Sequence, residues 1–450
     1  MIVFSHPLGN ANARQAALAL EEAGLLAELW TCLHWTPGGL PDRFLPAALA
    51  RELGRRAFPA PVRGKLRTAP AREAGRLLAG RLPGGVGRWL TRHETGPCSV
   101  DAVFRALDRA VAGRLPALAA RQPLRGVYAY EDGAADTFRA AGRLGLTRVY
   151  DLPIGYWRAG HEIFAEEADR VPEWAATLTG RADSPTKLAR KDEELAGADA
   201  VIVASSFTRR TLAAAPGLRA PVHVVPYGAP TPPAFDPAAP ATPEGKRDRL
   251  RVLFAGSLGQ RKGLSYLLEA VESMGASVEL TLLGSRTTDR CPALDHAVRS
   301  HRWIPSLPNA AVLEEMSRQD VLVFPSLFEG FGLVILEAMS RGLPVIATPH
   351  TAGPDVIDDG TDGFLVPIRS AGAIAEKLEL LLRNPARRVE MRHAARRKAA
   401  ALTWEAHRRV LAACVAGALD GSAADFDPGS PPMHDALGTA TALVQPASLP

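Results

Sequence analysis

Hydrophobic positions along the chain fall into short, almost unbroken apolar runs, separated by longer segments in which apolar residues recur at helical spacing. In the N-terminal half the runs are MIVFSHP at the start, AELWTCL (27–33), GVYAYED (126–132), TRVYDLP (147–153), ADAVIVASS (198–206) and VHVVPYG (222–228). Between several of them lie Ala/Leu/Arg segments with the helical period, such as 14–23 and 207–215. Strands this apolar are covered on both faces, as in a parallel sheet held between helices. The pattern breaks at 228–249, where prolines crowd a stretch without periodicity, and that stretch reads as a linker. It restarts with LRVLFAG (250–256), VELTLLG (278–284), DVLVFPS (320–326) and LPVIATP (343–349), and predicts helices at 262–274, 309–318, 331–341, 371–383 and 386–401. An amphipathic stretch, TWEAHRRVLAACVAGAL, closes the folded part. Residues 421–450 contain no Lys or Arg and read as a disordered tail.

The expectation is therefore an α/β chain of two Rossmann-like, doubly wound domains, 1–228 and 250–403, with a linker at 229–249 and a helix at 404–420 packing across both. Open parallel sheets bind ligands beyond the carboxyl ends of their strands, so two that face each other leave a central cleft.

Composition narrows the class. At 450 residues, with 47% hydrophobic and 22% charged, the chain is a globular protein too long for one ordinary core. No uncharged apolar run approaches the roughly 18 residues that span a bilayer. The N-terminus lacks a basic region and a small-residue cleavage site, so it reads as a first strand, and the expected compartment is the cytoplasm. Cys32, Cys98, Cys291 and Cys414 lie far apart without metal-ligand spacing and read as structural thiols. A net charge of +5 is mild, but its distribution is uneven. Residues 51–92 carry eleven basic and two acidic side chains, with leucines and Trp89 interspersed. Such a segment suits either a solvated Arg-rich insertion or peripheral contact with an anionic membrane surface. No aromatic recognition motif accompanies the charge, so nucleic acid is not an expected partner.

Candidate chemistry concentrates in the second domain. In PSLFEGFGLVILEAM (325–339) a strand leads through a glycine turn into a helix, with Glu329 in the turn and Glu337 inside the helix. The backbone amides of Gly330, Phe331, Gly332 and Leu333 are donors at a helix N-terminus, suited to an anionic or polar ligand. Two ionised carboxylates only accept hydrogen bonds, so they suit a ligand rich in hydroxyls, such as a nucleotide sugar. FAGSLGQRKGLSYLL (254–268) repeats the strand, turn and helix with Arg261 and Lys262 at the helix start, where cations are unfavourable unless a diphosphate or other anion offsets them. Separately, Glu329 would serve as an ordinary N-terminal carboxylate and the two cations as a solvated pair.

GSLGQRKG (256–263) together with PSLFEGFGLVILEAMSRGLPVIAT (325–348) resembles the donor-binding half of the retaining GT-B glycosyltransferases, in particular the large family four. VIVASSFTRRTL (201–212), VVPYGAP (224–230) and DGTDGFLVP (359–367) resemble its framework segments, while the N-terminal half matches only loosely. The resemblance implies transfer of a hexosyl-type group from a nucleoside diphosphate sugar, as co-substrate, to a saccharide or lipid-linked acceptor, with retention and without a metal or other cofactor. It implies that Glu337 holds the ribose hydroxyls, Glu329 the donor sugar, and Arg261 and Lys262 the charge on the departing diphosphate. A single Asp-x-Asp, DFD at 425–427, lies in the proline-rich tail and reads as chance. Many relatives carry a histidine in the segment occupied here by VYAYEDGA (127–134), which has none. Tyr130, Glu131 and Asp132 stand nearest that place, Asp151 follows the next strand, and His161 is a further candidate. In HPLGNANARQAAL (6–18), Gly9, Asn10, Asn12 and Arg14 are candidates for donor phosphate or acceptor, or plain turn and cap residues. The competing reading is a catalytically silent subunit of the same architecture that binds nucleotide or carbohydrate for a partner.

Overall fold

Each central apolar run becomes a strand that is buried along most of its length. The computed structural model describes residues 1–36, 53–54, 56–83, 85–232 and 249–421. Its first sheet is built from β1 (Ile2–Ser5), β2 (Leu26–Thr31), β3 (Leu66–Thr68), β4 (Gly126–Tyr130), β5 (Thr147–Leu152), β6 (Ala200–Val203) and β7 (Val222–Val224). The second contains β8 (Leu250–Ala255), β9 (Val278–Leu283), β10 (Arg302–Ile304), β11 (Val321–Phe324), β12 (Val345–Ala347) and β13 (Gly363–Leu365). All pairings are parallel, in the orders β3-β2-β1-β4-β5-β6-β7 and β10-β9-β8-β11-β12-β13. In each sheet the order reverses between the first strand and its later neighbour, β1 beside β4 and β8 beside β11, and such a reversal opens a crevice at the strand ends. The two-sheet α/β architecture anticipated from the pattern is thus the observed one.

Three strands had no counterpart in the reading of the sequence: β3, β10 and β13. All are three-residue edge strands. The first two are partly exposed, so neither forms an apolar run that periodicity can register.

The halves are not separate in packing. Helix Trp157–Arg170 leaves the first sheet, and Trp174 just beyond it is buried among Leu250, Val252, Phe254 and Leu264 of the second core. Glu167 on that helix is fully buried and accepts hydrogen bonds from Gln260 Nε2 (2.7 Å), Tyr266 OH (2.8 Å) and Arg369 Nε (2.7 Å), all from the second domain. Three donors satisfy a carboxylate that would otherwise be costly to bury.

The chain crosses between the halves twice, at neighbouring points. It leaves the first sheet after β7, and it returns at 402–404 into helix Trp404–Asp420, capped by Thr403 Oγ1. That helix buries Leu411, Val415 and Leu419 against the β1 side of the first core, while Trp404 packs on the second. Ala229 N donates to Leu402 O at 2.7 Å, and a Cβ on Gly228 would stand 2.3 Å from Trp404 N, so the two crossings touch. Most of the linker expected at 229–249, the tail from 422 and its DFD, and Arg51, Glu52 and Arg55 of the basic segment lie outside the described residues. No helix among the described residues is long and apolar enough to cross a membrane.

Candidate functional site

The two loops that follow β8 and β11 meet at the reversal point of the second sheet. After β8 the chain runs through Gly256 and Gly259 into the turn Gln260–Lys262, then through Gly263 into helix Leu264–Met274. Gly263 has φ +68°, and a Cβ there would stand 2.1 Å from Pro325 O, so only glycine permits this close approach to the neighbouring loop. Leu327 N and Ser326 Oγ both donate to Arg261 O, at 2.9 and 3.2 Å, and fix the loops together.

That contact brings Arg261, Lys262 and Glu329 to one point. Glu329 Oε1 accepts from Arg261 Nη1 at 2.6 Å and from Lys262 Nζ, and the same guanidinium nitrogen reaches Phe328 O at 2.9 Å. Burial alone would raise the Glu329 carboxyl, but the adjacent Lys262 and Arg261 charges outweigh it and hold the group below its ordinary value. For Lys262 burial prevails: it lowers the ammonium, Glu329 opposes it and Arg261 adds to it. Lys262 Nζ also lies 4.8 Å from the centroid of the Phe324 ring.

Arg261 and Lys262 face a cavity of about 420 Å³ between the domains. Ser257, Gly259 and Thr287 line its second-domain side; Trp157, His161, Glu131 and Lys191 line the other. His161 therefore lies on the cavity wall, edge-on to Trp157 with ring centroids 5.1 Å apart.

Glu337 stands apart from this trio. Its Oε1 accepts from Asn309 Nδ2 at 3.0 Å, and burial raises its pKa. Gly330 also departs from expectation: what approaches it closely is the protein's own backbone. A Cβ there would stand 1.9 Å from Pro153 O, while Gly330 O accepts from Ser205 Oγ (2.5 Å) and Thr208 Oγ1 (2.9 Å) of the first domain. Phe331 is buried against Tyr227, with centroids 5.0 Å apart. Gly332, at φ +85°, starts helix Leu333–Ser340 without a side-chain cap among the described residues, and Ile335 N turns back to Gly332 O at 2.9 Å.

On the first domain the candidates divide. Glu131 and Lys191 form a 3.3 Å ion pair at the cavity wall, and burial pushes the carboxyl up to about 7 against the pull of Lys191. Asp132 adopts φ +69°, donates its amide to Glu194 Oε2 at 2.8 Å, and has its carboxyl raised by burial. Asp151 does not line the main cavity: it is buried beside Asn12 in a small cavity and accepts from Tyr128 OH at 2.6 Å. Asn10 caps helix Ala11–Glu22 through Ala13 N at 2.8 Å, and Gly9 lies under the Phe58 ring, so both act in the turn itself. Arg14 is half-buried near His6, a residue passed over in the sequence. His6 Nδ1 accepts from Gly9 N at 2.8 Å, and burial, then the Arg14 charge, lowers its pKa to about 3. The HPLGN turn held the signal: a histidine two residues before a leucine–glycine pair can accept their amides.

Burial pushes the Asp151 carboxyl up to about 7 against the opposing Tyr128 hydrogen bond. A carboxyl raised on folding contributes stability at pH below its unfolded pKa and loses it as pH rises towards 7. Asp151→Asn, which mimics the protonated group, is expected to flatten the fall in stability between about pH 4 and 7. Urea melts across that range check it; an unchanged slope removes the assignment.

Among the described residues, one trio, His93, Glu94 and Asp183, presents ligand atoms within 4.8 Å of one another. Glu94 already accepts from Ser184 N (2.7 Å) and Ser184 Oγ (2.5 Å), and Lys187 Nζ lies 3.0 Å from Asp183 Oδ1, so an ammonium already balances the local negative charge.

With this geometry in place, the family described as "Glycosyl transferases group 1" matches residues 239–398. The chain carries a group 1 glycosyl transferase domain. That domain contains β8 to β13, both loops and all of Arg261, Lys262, Glu329 and Glu337. D-inositol 3-phosphate glycosyltransferase of Arthrobacter sp. (strain FB24) is 32% identical over 188 residues, 38% of this chain and 44% of that protein. The capsular polysaccharide biosynthesis glycosyltransferase CapM of Staphylococcus aureus is 29% identical over 161 residues, 34% and 41% of the two chains. The chain thus spans about two fifths of the length of these curated relatives. Sucrose-phosphate synthase from Thermosynechococcus elongatus superposes with a TM-score of 0.62 at 19% identity, covering 94% of this chain and 99% of that one. HepE from Anabaena, solved in complex with UDP, superposes at 0.56 with 14% identity, covering 92% and 99%. The group 1 domain and the sheet before it together form a GT-B fold.

Proposed function

We propose that the protein transfers a glycosyl group from a nucleoside diphosphate sugar to a saccharide or lipid-linked acceptor, with retention at the anomeric carbon. The observation that carries this is the meeting of Arg261 and Lys262 at one carboxylate, on the wall of an interdomain cavity. Two cations fixed before the bond breaks stabilise the charge that develops on a departing diphosphate without reorganising. We assign that task to them and not to a metal ion. Glu329 holds both cations and meets the donor sugar; Glu337, beside Asn309, takes the ribose hydroxyls; the amides at Gly332 and Leu333 face the phosphates and sugar. A solved relative of the same fold binds UDP, which supports a nucleotide in this cleft. We place the reaction in the cytoplasm, in peripheral contact with an anionic membrane.

A silent binding subunit is the second reading, favoured by one observation: Glu131, the acceptor-side carboxylate on the cavity wall, is already paired with Lys191. Thermal-shift screening against UDP-, GDP- and ADP-sugars, followed by donor hydrolysis without acceptor, separates the two. The transferase stabilises with one base class and hydrolyses that donor slowly. Tight nucleotide binding without hydrolysis of any donor favours the silent subunit, and no binding at all removes both.

A further inference from the structure

Exposed apolar side chains on this protein are concentrated. Of the seven large hydrophobic residues that stand exposed among the described residues, five fall between positions 78 and 100: Leu78, Leu82, Val86, Trp89 and Val100, and all of these but Leu82 are at least half exposed, Trp89 the most at 62%. Leu78 belongs to helix Ala71–Ala79, Val86 and Trp89 to helix Val86–Leu90, and Val100 starts helix Val100–Ala119, while Leu82 lies in the turn between the first two. A Cβ on Gly87 would stand 2.1 Å from Ala79 O, so the short helices meet backbone to backbone and hold these side chains outward. Leu82 and Val100 share a groove with Arg76 and Arg88.

The surrounding charge is positive, but not through the whole basic segment. Arg56 is buried against Glu73 at 2.7 Å, Lys65 pairs with Glu21 at 2.6 Å and Arg67 with Glu28 at 3.4 Å, so these serve the fold. Arg72, Arg81, Arg88 and Arg92 are exposed around the apolar group. Arg72 and Arg81 donate to the backbone carbonyls of Pro97 and Leu77, neutral acceptors that do not cancel their charge. Among the described residues, the acids closest to them in sequence are engaged elsewhere: Glu73 with Arg56 and Arg76, Glu94 with Ser184, Asp101 with Lys187 at 3.0 Å.

We propose that Leu78, Leu82, Val86, Trp89 and Val100, ringed by Arg72, Arg81, Arg88 and Arg92, form the surface by which the protein docks on an anionic phospholipid bilayer. Indole and leucine side chains bury in the headgroup and acyl boundary while arginines reach lipid phosphates. A second copy of the chain fits this face poorly, because it would oppose one set of arginines to another. The surface also adjoins the cavity: Glu94, in the turn after Trp89, bonds Ser184, the neighbour of the cavity-lining Asp183. A lipid-linked acceptor held in the bilayer would therefore enter from the first-domain side. The inference rests on the peripheral contact proposed above and names its site.

Co-sedimentation of the full chain with phosphatidylglycerol/phosphatidylcholine vesicles at low salt tests it, against pure phosphatidylcholine. Wild type is expected to bind the anionic vesicles preferentially. Trp89→Ser combined with Leu82→Ser, and separately Arg88→Glu with Arg92→Glu, are each expected to weaken binding at least about tenfold, with melting temperature and vesicle-free donor hydrolysis unchanged. Binding that survives both pairs of substitutions overturns this surface and leaves the peripheral contact standing; absence of wild-type binding removes both. Loss of binding that coincides with loss of a dimer in sedimentation velocity overturns the proposal in favour of self-association.

Discussion

Glu329→Gln is expected to act twice: turnover falls at least about tenfold, on the order of 1.4 kcal/mol of barrier, and the second domain loses about 3 kcal/mol of stability. The stability loss follows from Lys262, which is buried and whose Nζ bonds the carboxylate that the substitution neutralises. A buried ammonium without its anion is strongly unfavourable, whereas the intact pair roughly balances its own desolvation. The sign with pH follows from the lowered Glu329 pKa: its contribution is present above the unfolded carboxylate value and is lost as pH falls through the folded one. Wild type should therefore destabilise in acid more steeply than the variant. Arg261→Ala separates the two effects. Its side chain is 31% exposed, and removing it leaves the Lys262–Glu329 pair in place, so turnover should fall by a similar factor with little change in melting. Wild-type turnover in both variants, measured with the donor that the thermal-shift screen selects, would refute the roles given to all three residues.

Gly330→Ala is the second large effect, and it should appear in shape more than in folding. The added methyl would meet Pro153 O at 1.9 Å and Pro153 C at 2.7 Å, rigid backbone of the other domain that cannot rotate aside. Behind this contact, the Phe328 ring packs against Gly155 and joins Phe164 and Phe207 across the same boundary, and Gly155 N donates to Glu329 O at 3.2 Å. The loop that bears Glu329 is thus gripped by the first domain through its own backbone. Pushing the domains apart at Gly330 loosens that grip, so the domains should separate and KM for the donor should rise at least about tenfold. Small-angle scattering reads the first effect and steady-state kinetics the second. A variant with wild-type dimensions and KM would show that the contact has no part in holding the cleft.

Which features were legible in the sequence follows from the forces that shape them. Central parallel strands must be apolar on both faces, so runs such as VLFA and VLVF announced the sheets and, with them, the loops at their carboxyl ends. Edge strands β3 and β10 obey no such demand and left no run, while β13, buried at Gly363 and Phe364, is too short to make one. In the site, Arg261, Lys262 and Glu329 were legible because cations at a helix start and a carboxylate in a glycine turn each require a partner. That they partner one another was not, since a contact between loops 68 residues apart depends on strand order. Gly330 shows the limit most clearly: the sequence offers its amide to a ligand, and the structure sets the Pro153 backbone against its Cα. The segment around Trp174 was likewise assigned by chain order to the first domain, yet it completes the second core. Nothing local distinguishes a tryptophan that packs at home from one that packs next door.

The twin crossing at Ala229 and Leu402 has a mechanical consequence. With both crossings side by side, that seam is the expected axis for any opening of the lobes, as a spine is for a book. For the reaction proposed above, product would be expected to leave by a pivot about that seam, with Arg261 and Glu131 on opposite pages. Cutting the polypeptide between 232 and 249 would not part the lobes, because the terminal helix would still bind them.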